Sequence, residues 1–129
     1  MAEIAKGADR MSEPEYKHLR VRHKLDVAIV GFTTAYLQSE EDATKAGTEL
    51  FDLVENQEVT KMVLSFDGVR FVSSSMLAQV IKLHKALAKA KGKLRLCTLS
   101  PTVRDVLRAS QLDKMLDVYD DEAAALVKF

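Results

Sequence analysis

The sequence predicts an α/β domain: a small mixed, mostly parallel sheet with helices, in the order β-β-α-β-α-β-α-β-α. Three observations predict it. Short apolar runs suited to buried strands, KMVLSF and KLRLCTL, alternate with segments of helical period. Strand and helix in alternation require parallel crossovers. At the start, HLRVRHKLDVAIVGF holds two strand-like runs with no helix between them, so these pair antiparallel at one edge of the sheet.

Each element has its own warrant. Residues 1–15 mix Ala, Lys, Glu, Asp and Ser with Pro14 and carry few large apolar groups, so they read as a flexible N-terminal tail ahead of one domain over 16–129. In the first strand Leu19, Val21 and Leu25 point one way and His18, Arg20, Arg22 and Lys24 the other. A tight turn near Lys24-Leu25-Asp26 leads into the apolar run Val27 to Val30. The three cations read as the solvated face of an edge strand, where charge also discourages aggregation. A nucleic-acid face would interleave aromatics, and none are present there.

SEEDATKAGTELFDLVEN reads as a helix. Ser39 caps it, Glu40, Glu41 and Asp42 meet the positive dipole end, and Ala43, Ala46, Leu50 and Val54, with Phe51, form the apolar stripe. A short strand over Met62 to Phe66 and a turn at Asp67-Gly68 follow. From Met76 to Lys91 the period is helical again, with Leu77, Val80, Ile81, His84 and Ala88 on one stripe, Leu83 and Leu87 broadening it, and Gly92 as the stop. Ser100-Pro101 supplies a capping hydroxyl and a proline at the first helical position, with Val103, Val106, Leu107 and Ser110 facing inward. MLDVY is the last strand, and Asp120 or Asp121 caps a final short helix.

Composition excludes several classes. The chain has 129 residues with 19 basic and 19 acidic side chains, so no global field draws it to nucleic acid or to a membrane. Cys97 is the single cysteine, which rules out an internal disulfide and a paired-cysteine metal site, and it reads as a structural thiol. The expected setting is cytoplasmic, with no cofactor. Asp120, Asp121 and Glu122 read as a capping turn rather than a metal cluster.

The stretch that carries chemistry is FVSSSMLAQV, with Ser73, Ser74 and Ser75 between a strand and a helix. In open α/β sheets functional loops lie beyond the carboxyl ends of the strands. Three roles compete: a helix cap, a phosphoryl acceptor at a dipole end that tolerates negative charge, or a catalytic nucleophile. The nucleophile needs a base and an elbow. The G-x-S-x-G elbow is absent, and the nearest histidine, His84, falls on the apolar stripe of the following helix. No enzyme is expected.

The run from Leu64 to Leu126 resembles the core of the STAS domain, the module of anti-sigma factor antagonists and of sulfate-transporter tails. FVSSSML, LSPTVRDVL and LDKMLDVYDDEAAAL fall at that family's intervals. The resemblance implies that Ser74 is the phosphoacceptor, with Ser73 and Ser75 as alternates. It also implies an anti-sigma factor with serine kinase activity as partner, and a serine phosphatase as another. The docking surface it implies comprises Thr33, Thr34 and Tyr36 with Ser73, Ser75, Met76 and Gln79, where Met76 would offer an exposed or half-exposed apolar contact. The sequence departs from the family pattern in its acids. Ser73 and Ser65 stand where the family keeps aspartate, and GFTTAYL carries no carboxylate. An adaptor without a phosphoswitch is the alternative reading, and a module binding a small ligand at the helix N-terminus is a third.

Overall fold

The computed structural model describes residues 16–129; the expected tail, residues 1–15, lies outside the described residues. In chain order the elements are β1 (Leu19–Lys24), β2 (Val27–Phe32), β3 (Tyr36–Leu37), α1 (Glu40–Glu55), β4 (Lys61–Ser65), β5 (Phe71–Val72), α2 (Ser74–Lys89), β6 (Lys93–Cys97), α3 (Pro101–Ala109), a 3-10 turn (Leu112–Lys114), β7 (Asp117–Tyr119) and α4 (Glu122–Leu126). The main sheet runs β1-β2-β4-β6-β7. Only the β1–β2 pair is antiparallel; the other three pairings are parallel, as the alternation of elements requires.

Strand periodicity divides the core in two. Ala28, Val30, Met62, Leu64, Leu94 and Leu96 face α1, α2 and α3. Val27, Ile29, Val63 and Cys97 face the other way, where Ala125, Leu126 and Phe129 of the C-terminal segment cover them. This is why VAIV reads as a continuous apolar run: both faces of β2 are covered.

Several expectations are corrected at the level of single residues. Leu25 does not face inward. It occupies a two-residue turn with φ 58° and is 92% exposed. On α1 Leu53 is buried along with Ala43, Ala46 and Leu50, while Val54 and Phe51 are only half-buried. On α2 the buried stripe is Met76, Leu77, Val80, Leu83 and Leu87, while Ala88 is exposed. Ser110 is exposed and donates its hydroxyl to the Val106 carbonyl at 2.8 Å. The pair β3–β5, a second two-stranded parallel sheet, was not expected at all.

Gly92 does end α2, but not by adopting the left-handed conformation. That residue is Lys91, with φ 61°. The Lys91 N–H donates to the Ala88 carbonyl at 3.0 Å and the Gly92 N–H to the Leu87 carbonyl at 2.7 Å, the paired bonds of a Schellman ending. Glycine is required at 92 because a Cβ there would collide with the Thr60 backbone carbonyl.

The lightly covered face is held by Arg95, which is 6% exposed on β6. Its guanidinium donates to the carbonyls of Ala125 at 3.0 Å and Val127 at 2.8 Å. It also lies over the rings of Tyr119 and Phe129, 5.0 and 4.5 Å from their centroids. No carboxylate pairs with it among the described residues. Carbonyl dipoles and ring faces therefore compensate its charge, and in turn it fixes the C-terminal segment on the sheet.

Three stability outcomes follow from these contacts. Gly92→Ala is expected to destabilise the fold by at least about 2 kcal/mol, since backbone must move, whereas Lys91→Gly is expected to stabilise it by up to about 1 kcal/mol. Arg95→Ala should cost about 2–4 kcal/mol, because it opens a cavity and strands buried carbonyls. Equilibrium urea unfolding of the three variants measures all of these.

Candidate functional site: the serine loop and its aromatic neighbours

The site is built by the small second sheet. Tyr36 pairs with Phe71 and Leu37 with Val72, in parallel register. Alternation buries Leu37 and Val72 and turns Tyr36 and Phe71 outward, 47% and 38% exposed. The Ser73 N–H then donates to the Leu37 carbonyl at 2.8 Å, and the Arg70 N–H donates to the Ala35 carbonyl at 2.7 Å. These backbone bonds join the segment after β2 to the serine loop, so a surface drawn from two distant stretches of sequence becomes one.

The three serines have different work. Ser73 is the N-cap of α2: it has extended backbone, and its hydroxyl accepts from the Met76 N–H at 3.2 Å. The helix therefore begins at Ser74, two residues before the apolar period suggested. Ser74 is exposed at the first helical position, with its hydroxyl in no hydrogen bond among the described residues. Ser75 is half-buried.

Met76 does not contribute to the surface. It is fully buried against the sheet, since position 76 shares the inward stripe of α2 with Val80, Leu83 and Leu87. The expectation of an exposed or half-exposed contact there is overturned. Gln79 is half-buried, and its side chain lies across Gly47 of α1, where a Cβ would displace it. It borders an open cleft of about 400 Å³ between α1 and α2, lined also by Thr44, Thr48 and Phe51. Thr33 is exposed, donating its hydroxyl to the Lys17 carbonyl at 2.8 Å, and Thr34 accepts from the Tyr36 N–H at 3.3 Å. Thr34 thereby shapes the entry to β3. The residue that sequence reasoning missed is Phe71. Reading Phe71-Val72 as a two-residue strand, out then in, would have found it.

The remaining chemical groups are engaged in structure. His84 lies on α2 nearly three turns beyond Ser74, half-buried, with its Nδ1 buried and without a hydrogen bond. It is not placed to serve as a base for Ser74. Burial pushes the Cys97 thiol above its ordinary pKa, against hydrogen bonding from Thr98 and Ser65, so it stays protonated and inert at neutral pH. Asp121 accepts from the Ala124 N–H at 2.8 Å as the cap of α4. Glu122 pairs with Arg22, and Asp120 lies 3.6 Å from Arg104. No group of acids, histidines or cysteines among the described residues is arranged to hold a metal ion.

Fold and site together define a small α/β module whose exposed chemistry is a free hydroxyl at a helix start beside two aromatic rings. The STAS domain model matches residues 12–125, and the chain belongs to that family. It is similar to an anti-sigma F factor antagonist from Paenibacillus polymyxa, 26% identical over 80 residues, or 62% of this chain and 68% of that protein. Among solved structures, a candidate anti-sigma factor antagonist from Thermotoga maritima superposes with a TM-score of 0.75 at 22% identity, covering 84% of this chain and 91% of that one. The Bacillus cell fate determinant SpoIIAA in its phosphorylated form gives a TM-score of 0.63 at 19% identity, over 82% and 95%. At these identities the structural likenesses establish the fold.

The division of labour among the serines is testable without a partner. Ser73→Ala should lower stability by about 1 kcal/mol through loss of the cap, Ser73→Asp should retain it, and Ser74→Ala should change it by less than about 0.5 kcal/mol. Thermal and urea unfolding give the comparison.

Proposed function

We propose that the chain is an anti-sigma factor antagonist whose binding is switched by phosphorylation of Ser74. The observation that carries the reading is the state of that hydroxyl. Of the three in the loop, it alone is both exposed and free of capping duty, and it adjoins the Tyr36–Phe71 pair. Unmodified, the loop and the two rings offer an uncharged, partly apolar contact of the kind that anchors interfaces. The partner is an anti-sigma factor with serine kinase activity.

Phosphate on Ser74 adds about two negative charges at the start of α2. The free N–H groups of the first turn and the helix dipole tolerate that charge, so the fold survives. The contact surface does not survive, because a dianion must lose its hydration to enter the same interface. A serine phosphatase would restore the binding form. The site needs no catalytic group of its own, and the chain acts here as substrate and ligand.

The expected result of co-expression with a cognate serine kinase is one phosphate, found on Ser74 by mass spectrometry and absent from Ser74→Ala. Ser74→Glu and Tyr36→Ala should each weaken the complex with the unmodified chain by about tenfold or more in calorimetry. A stable complex that is indifferent to Ser74→Glu, with no phosphate in the loop, would assign the chain to constitutive adaptors instead. The absence of carboxylates at Ser73 and in GFTTAYL is the feature that favours that second reading.

A further inference from the structure

A second surface lies at the opposite end of the domain, and the switch does not use it. Strand register places Lys24, Val27, Lys61 and Lys93 in one lateral row across β1, β2, β4 and β6. Partners in a row share a face, so all four point to the side covered by α4, the side of Ile29 and Val63. Arg20 and Arg22 of β1 and Arg95 of β6 belong to the same face by alternation. This face of the sheet therefore carries cations on β1, β4 and β6, with Asp117 of β7 and Glu122 of α4 as acids toward its other edge and end.

The end of that face is also apolar. Leu25 projects from the β1–β2 turn with 92% of its surface exposed, and Val127 is 60% exposed beside it. Between them runs an open cleft of about 330 Å³, lined also by Leu126 and Phe129, with Lys24 at its edge. Lys61 is paired with Asp26 at 3.0 Å, and this ion pair holds the Asp26 carboxyl below its ordinary range. No ion pair engages Lys24, Lys93 or Lys128 among the described residues. Leu25 is also costly where it stands. Its φ of 58° is a conformation that a turn ordinarily gives to glycine or asparagine, and full exposure recovers none of the cost by burial. Strain and exposure at one tip together point to a role outside the folded monomer.

We propose that this end of the domain docks on an anionic lipid surface, with Leu25 and Val127 entering the headgroup layer and Lys24, Lys61, Lys93 and Lys128 facing the lipid phosphates. Charge complementarity selects an anionic partner. The form of the apolar group selects lipid among anionic partners. A side chain projecting from a turn, without walls around it, enters a fluid layer directly, whereas a protein must bring a pocket shaped for it. Single-stranded nucleic acid is bound through stacked aromatics, which the row lacks, and an RNA oligonucleotide is included in the test as the competing partner. The serine loop stays accessible in this arrangement, because α2 runs the length of the sheet between the two ends.

The experiment is co-sedimentation of the full chain with phosphatidylcholine vesicles containing about one third phosphatidylglycerol, at low salt. Binding should appear with these vesicles, vanish with phosphatidylcholine alone, and fall steeply as salt is raised. Lys24→Glu and Lys93→Glu should each reduce it by about fivefold or more. Leu25→Asn should reduce it while unfolding at the same or higher temperature, since asparagine tolerates the left-handed turn, so loss of binding cannot be loss of fold. Ser74→Glu should leave it unchanged. Failure to sediment with the anionic vesicles overturns the proposal. So does binding that Leu25→Asn and Lys24→Glu do not alter. Retention of the chain by poly-glutamate or by an RNA oligonucleotide, without vesicle binding, would give the patch to that partner and likewise sink the lipid assignment.

Discussion

The handedness of parallel crossovers governs the architecture. Strand order in the sheet advances in one direction, β2 to β4 to β6 to β7. Each step is a strand–helix–strand crossover, and right-handed crossovers made in one direction place every helix on the same face. The apolar residues of α1, α2 and α3 accordingly share one core with Val30, Leu64 and Leu96. The other face receives no crossover helix. It is left to five helical residues of α4 and to Phe129, which is little area to offset the entropy of ordering them. Arg95 supplies what packing there does not, by satisfying the carbonyls at the end of α4 and stacking on two rings. The same constraint leaves the strand flanks on that side uncovered, which is why the cations of β1 and the row of lysines remain at the surface.

At the serine loop, capping and the proposed switching fall to adjacent residues. Ser73 stands where STAS relatives of the antagonist type carry an aspartate. Serine and aspartate cap a helix about equally well, so the structural duty of the position is preserved while its charge is lost. That loss has opposite consequences for the two steps of a switch. A cap carboxylate would lie beside a phosphate on Ser74 and repel it, so its absence makes the modified state cheaper for this chain. A kinase that orients the loop through that carboxylate would lose a contact. In the proposed switch, chemistry at the acceptor would be eased and recognition narrowed, which would shift the burden of recognition onto groups such as Tyr36 and Phe71.

Much of the fold was legible in the sequence because its signals are local. The caps Ser39, Ser100 and Asp121 precede helical periods, and each accepts the backbone N–H three residues on. What was not legible depends on contacts between distant segments. Two residues cannot establish a period, so Tyr36-Leu37 and Phe71-Val72 look like loop until they pair. Met76 passed for a surface residue because it stands beside the serines, although its spacing of four and seven residues from Val80 and Leu83 puts it on the inward stripe. Gly92 was correctly read as a stop for an incomplete reason: the missing Cβ makes room for the Thr60 carbonyl, across a strand that the helical period does not register.

The separation of the two exposed surfaces has an electrostatic consequence. The 16 residues of α2 span about 24 Å, and the serine loop and the lysine row lie toward opposite ends of that length. Exposed charges are screened over about 8 Å at physiological salt. A phosphate on Ser74 is thus about three screening lengths from the lysines, and direct Coulomb coupling between the two is negligible. Any influence of one surface on the other would have to be mechanical, through a shift of α2 against the sheet. The buried stripe Met76, Val80, Leu83 and Leu87 opposes such a shift, because a close-packed interface resists small displacements. Under the proposed switch, phosphorylation would therefore change what the serine end can bind and leave the other end as it was.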